Sequence, residues 1–73
     1  MKDIITREEV LGLLDDFNKY AETAEQHEFP LLTMIRMRLE PSIEDYPDMS
    51  IAELNCMFRV VYKVIGKDFS AYE

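Results

Sequence analysis

Two four-residue stretches, Thr6-Arg7-Glu8-Glu9 and Ser50-Ile51-Ala52-Glu53, constrain the fold of this 73-residue chain more than any other feature. Each places a hydroxyl residue three positions before a glutamate, the spacing of a capping box. There the two side chains satisfy backbone N–H groups that a helix start leaves without partners. Each stretch is also flanked by an apolar pair, Ile5 with Val10 and Met49 with Leu54, in the positions of a hydrophobic staple. Two helix starts marked in this way point to an all-α fold.

The first start opens a helix expected over residues 7–28. At 100° per residue, Val10, Leu13, Leu14, Phe17, Tyr20, Ala21 and Ala24 share one arc. Asp15 and Lys19 form an acid-before-base i,i+4 pair on the wet side. Gly12 lowers helix propensity by about 1 kcal/mol relative to alanine, which raises the question of a close backbone neighbour. Pro30 cannot donate a hydrogen bond and pushes Phe29 toward an extended conformation, so the helix is expected to stop there. Proline suits a first helical position, and a second helix is expected over residues 31–40. Its apolar residues run most of the way around the cylinder, the mark of a helix contacted on more than one side. Pro41 and Pro47 bracket Ser42–Tyr46, which reads as a helical turn or kinked extension followed by a loop.

The second capped start opens a helix over residues 51–65. Val64, Met57, Val61, Leu54, Ile65, Phe58, Ile51 and Tyr62 fall on one arc, with Asn55, Arg59, Lys63, Cys56 and Glu53 across from it. Gly66 suits a left-handed C-terminal cap, and Lys63 complements the helix dipole. Phe69 and Tyr72 in the tail are placed to fold back on the core. Residues 58–65 are rich in β-branched side chains and could form a strand. Both faces of that strand would be apolar and no partner strand is evident, so helix is the better reading. The fold class is all-α: a small three-helix bundle, or a helical hairpin plus a helix, with dimerisation as a further means of covering apolar surface.

Size and composition narrow the function. A chain this short forms one domain, residues 1–73, and is marginal in stability alone. An apolar content of 48% excludes a disordered tail. A lone cysteine, Cys56, rules out a disulfide within the monomer and a zinc ribbon. The N-terminus lacks the apolar core of a signal peptide, and no stretch approaches the roughly 20 apolar residues of a membrane span. A cytoplasmic protein without membrane association is expected. The net charge of −7 opposes direct nucleic-acid binding. Much of that charge lies in the first thirty residues.

Few residues carry recognisable chemistry. The neighbouring acids Asp15-Asp16 and Glu44-Asp45 point about 100° apart on a helix, so they do not converge as a general acid and base. His27 lacks the glutamate three residues before it that a helical di-metal site requires, and there is no second histidine. Cys56 has no histidine close in sequence to activate it. The expectation is therefore no enzyme, no cofactor and no metal.

What remains is surface. Glu8, Asp15 and Glu22 recur every seven residues, about 10.5 Å apart, with Asp16 beside them. Such a row can be a plain solvated face, a docking face for a basic partner or an imitation of nucleic-acid phosphates. Arg59, Lys63 and Lys67 recur every four residues, with Arg36 and Arg38 on the second helix. They either balance acids elsewhere or bind an anion. The methionines suit irregular core gaps and adaptable partner surfaces. Two functional readings follow. The first is a small acidic regulator, inhibitor or adaptor that binds a larger protein, a nucleic-acid-processing enzyme among the candidates, through Glu8, Asp15, Asp16 and Glu22. The alternative is an anion- or nucleotide-binding module using Arg36, Arg38, Arg59 and Lys63. In either case a homodimer is expected, with Leu32, Met34, Met37 and Val60 at the contact.

Overall fold

Apolar periodicity and capping together produce three helices, α1 (Arg7–Thr23), α2 (Phe29–Asp45) and α3 (Ile51–Ile65), in a computed structural model that describes residues 1–73. There is no strand, so residues 58–65 are helical throughout. Short 3₁₀ turns at Gln26–Glu28, Tyr46–Asp48 and Ser70–Tyr72 make the corners. The fold is an all-α three-helix bundle.

The start of α1 forms the expected box. The Thr6 hydroxyl accepts from the Glu9 N–H at 3.2 Å, and the Glu9 carboxylate accepts from the Thr6 N–H at 3.4 Å. Both staple residues, Ile5 and Val10, are buried. The second box is only half formed. The Ser50 hydroxyl accepts from the Glu53 N–H at 3.1 Å, but the Glu53 carboxylate takes the Ser50 hydroxyl rather than its N–H. One cap is enough to set the start.

Three boundaries differ from the sequence reading. Helix α1 ends at Thr23, not residue 28, with Ala24 and Glu25 extended. No proline or glycine lies between 23 and 28; the turn is held by Glu28. The Glu28 carboxylate accepts from the Tyr20 hydroxyl at 2.5 Å and from the Glu25 N–H at 2.9 Å, which folds the chain back on α1. Helix α2 begins at Phe29 and continues through Pro41 to Asp45, so Ser42–Asp45 extend the helix beyond residue 40. Pro41 is exposed, as is Met37, whose carbonyl loses its helical partner to the missing N–H. On the inner side Leu39 and Ser42 are buried and hold the extension to the core, the Ser42 hydroxyl donating to the Leu39 carbonyl at 2.5 Å.

Helix α1 packs against both α2 and α3, whereas α2 and α3 approach each other much less closely. The core joins Val10, Leu13 and Phe17 of α1 with Leu32 and Leu39 of α2 and Leu54, Phe58 and Val61 of α3. Gly66 ends α3 in the left-handed conformation, φ 79° and ψ 22°, as its position suggests. The tail then returns. Tyr72 stacks on Phe58 at 4.6 Å between ring centroids, and Tyr62 meets both rings edge-on. Gly12 has open space where a Cβ would stand, so no backbone within the chain requires a glycine there.

Candidate protein-docking groove

The apolar arc of α3 is wider than the core needs. Phe58, Leu54 and Val61 turn inward, while Met57 and Val60 lie toward α2 on a flank that α2 does not close. On α2 the facing flank is formed by Ile35 and Arg38, one helical turn apart, with Leu39 beneath. Met49, in the connection between the helices, closes one end. The result is a groove of about 440 Å³ along the α2–α3 seam, mostly apolar in its lining. That volume lies within the roughly 300–1,000 Å³ of ligand clefts. Cys56 and Glu53 complete the α3 wall.

Exposed apolar side chains continue the groove outward. Leu31 and Met34, at 51% and 67% exposure, extend its α2 wall by helical position. Val60, at 48%, forms the lip of the opposite wall. Met37 is the most exposed of the large apolar residues on α2, at 72%, but lies about 60° around the helix from Met34, on the side away from the core.

At the Met49 end the groove opens into a shallow polar recess. Arg38, Met49 and Glu53 are shared between the two, and Ser42, Asp45 and Asp48 line the rest. None of Asp45, Asp48 and Glu53 has a basic side chain within 4.0 Å, and neither has Arg38 an acidic one. Three carboxylates around one guanidinium leave this end negative.

The four expected self-association residues do not form one surface. Leu32 is buried, 5% exposed, in the core beneath α1, and is not available to a second chain. Its place in the apolar run of α2 does not reveal which of several apolar faces meets α1. Val60 lines the groove, Met34 stands one helical turn before Arg38 outside it, and Met37 lies further round α2.

The acidic row is partly used inside the chain. Asp16 pairs with Lys67 at 2.7 Å, tying α1 to the segment after α3, and this contact holds the Lys67 ammonium above its usual range. Asp15 pairs with Lys19 at 2.9 Å as expected. Glu8 and Glu22 are exposed with no basic side chain within 4.0 Å. Near the N-terminus the Lys2 ammonium holds the Glu9 carboxyl below its usual range, aided by the cap hydrogen bonds from Thr6.

The four candidate anion-binding bases have separate engagements. Arg36 and Arg38 stand on opposite flanks of α2, about 200° apart. Arg36 faces α1, donating to Asn18 Oδ1 at 3.3 Å, pairing with Glu40 at 3.7 Å and lying over the Phe17 ring. Arg59 donates to the Tyr72 carbonyl at 3.2 Å and so fastens the tail. Lys63 is exposed on the outer side of α3, and Arg38 is on the groove. The structure does not bring them into one cradle. His27 Nδ1 lies 3.3 Å from Glu25, both side chains well exposed, and Cys56 is an exposed free thiol.

Sequence reasoning missed two residues. Asn55 was expected on the polar side of α3 but is fully buried, its amide nitrogen donating to the Lys2 and Ile51 carbonyls at 2.8 Å each. Its projected position, 20° beyond Tyr62 on the arc's edge, was the only available signal. Tyr46 is the other. Its hydroxyl donates to the Ile5 carbonyl at 2.5 Å and joins the end of α2 to the segment before α1.

No protein family matches the chain, and no characterised protein or solved structure matches it. No helix is long and apolar enough to cross a membrane.

Proposed function

We propose that this small acidic protein is a protein-binding module, a regulator or adaptor that acts on a larger protein through its helical surfaces. One observation carries the reading. The α2–α3 seam holds an open apolar groove with exposed Val60 in its lining, and exposed Leu31 and Met34 stand one turn before Ile35 and Arg38 of its α2 wall. Scattered exposed apolar residues are ordinary on a monomer, but a contiguous patch with a polar rim is the usual form of a docking surface. Flexible thioethers at Met34, Met49 and Met57 let such a surface adapt to its partner. The acids of α1, with Glu8, Asp15 and Glu22 outward, add a field that favours approach of a basic partner.

The test is capture from host lysate with immobilised wild-type chain and with Val60→Glu, each with and without nuclease. The reading expects protein capture that survives nuclease and is lost in the variant. Capture abolished by nuclease would instead support an anion-binding role for the bases, and equal capture by both chains would remove the groove from the interaction.

A further inference from the structure

Resting on the protein-binding reading, we infer that the α2–α3 groove receives a basic amphipathic helix of the partner, its apolar stripe in the groove and its lysines or arginines over the Asp45, Asp48 and Glu53 end. Shape comes first. The groove follows the seam of two helices and is lined over the length of Ile35 to Leu39 on one wall and Glu53 to Val61 on the other. A helix laid along such a seam presents side chains at i, i+3 or i+4 and i+7 to both walls at once. The lining provides apolar contact through Ile35, Met57 and Val60 and adaptability through Met49 and Met57.

Charge selects the occupant. The open end carries three acids, none ion-paired within the chain, against one arginine. An acidic helix would set like charges against Asp45, Asp48 and Glu53, whereas a basic one supplies the missing partners. The same consideration disfavours a second copy of this chain. Each copy has a net charge of −7, and a symmetric contact through the groove brings two acidic ends together with only Arg38 from each side to offset them.

The probe is a synthetic 18-residue helical peptide of leucines at i, i+3, i+4 and i+7 with lysines elsewhere. Its control carries glutamates in place of the lysines. Binding is followed by ¹H–¹⁵N NMR on the full chain, with sedimentation equilibrium of the chain alone in parallel. The expected result is saturable shifts centred on Ile35, Met57 and Val60 with the lysine peptide only. Binding weakens at least tenfold in Val60→Glu and at least threefold in Asp48→Asn/Glu53→Gln, both with unchanged circular dichroism. Shifts confined to Asp15 and Glu22 of α1 would overturn the groove assignment while leaving a protein-binding face. Concentration-dependent groove shifts without peptide, together with a species of twice 8.6 kDa, would identify a second copy as the occupant and overturn the inference. No shifts with either peptide, or equal binding of both, would also overturn it. Lysate capture lost on nuclease treatment is the separate result that would remove the protein-binding reading itself.

Discussion

Asn55 of α3 pairs with both backbone polar groups of Lys2: its amide oxygen accepts the Lys2 N–H at 2.9 Å and its amide nitrogen donates to the Lys2 carbonyl at 2.8 Å. One buried side chain thus fixes the segment that leads into α1, and the Tyr46–Ile5 hydrogen bond fixes it a second time from the turn after α2. Asn55→Ala leaves these groups without their partners and is expected to destabilise by about 1–3 kcal/mol. Asn55→Asp is expected to be no better, since it loses the two donated bonds. Urea denaturation of the three proteins, with an unchanged slope, checks both.

The contrast between Leu32 and Met37 tests the packing of α2. Leu32→Ala removes a core side chain and is expected to cost about 2–5 kcal/mol. Met37→Glu changes a residue that is 72% exposed and is expected to fall within about 0.5 kcal/mol of wild type. Thermal melts of the two variants should therefore separate widely.

The two glycines should respond in opposite directions. Gly12 is solvent-exposed within α1 with open space around it, so Gly12→Ala is expected to stabilise by about 1 kcal/mol. Gly66 has φ 79°, and Gly66→Ala strains the cap of α3 by about 1–2 kcal/mol. Denaturation midpoints that move together would contradict the assigned backbone.

Stability should decline at both ends of the pH range. Burial, aided by Tyr62, pushes the Tyr72 hydroxyl up to about 12 from its ordinary 10.0, so the fold favours the neutral phenol. That contribution is complete below pH 10 and is lost as pH rises toward 12. Tyr72→Phe should flatten this alkaline loss. On the acid side the Glu9 carboxyl is lowered by Lys2 and the Glu28 carboxyl by the Tyr20 hydroxyl. Their contributions are present above the ordinary value of 4.5 and are lost as pH falls through the lowered values. Melting temperature against pH, for wild type and Tyr72→Phe, reads both limbs.

Much of the fold was legible in the residues that cap and pattern the helices. Thr6, Glu9 and Ser50 located two starts, Gly66 located one end, and the aromatic tail folds back as its residues suggest. The early end of α1 goes with the bonds that Glu28 accepts from the Glu25 N–H and the Tyr20 hydroxyl, which apolar periodicity does not encode. The length of α2 goes with the packing beyond Pro41, where Ile43 and Tyr46 lie against the core, a contact that the proline spacing does not announce. The groove was legible only in part. Excess apolar residues were evident on α2 and α3, but which of them line the gap follows from α1 being the helix that packs on both. Hence Leu32 belongs to the core while Ile35, Met49 and Met57 belong to the site. The charged residues were hardest to place, because Asp16, Arg36 and Arg59 have contacts within the chain that their spacing does not announce.

If the acids of α1 steer and the groove holds, the two functions should separate in kinetics. Asp15→Lys/Glu22→Lys is expected to slow association with the lysine peptide several-fold and flatten its salt dependence, with dissociation little changed. Val60→Glu should act mainly by speeding dissociation. Stopped-flow mixing at two salt concentrations distinguishes them.

The groove carries its own reporter in Cys56, the one thiol of the chain, which is exposed on the α3 wall. Its alkylation rate, measured with and without saturating lysine peptide, reads occupation of that wall directly. Docking in the groove predicts at least a tenfold slowing with the lysine peptide and none with the glutamate control. An unchanged rate under conditions where the complex has formed would contradict it.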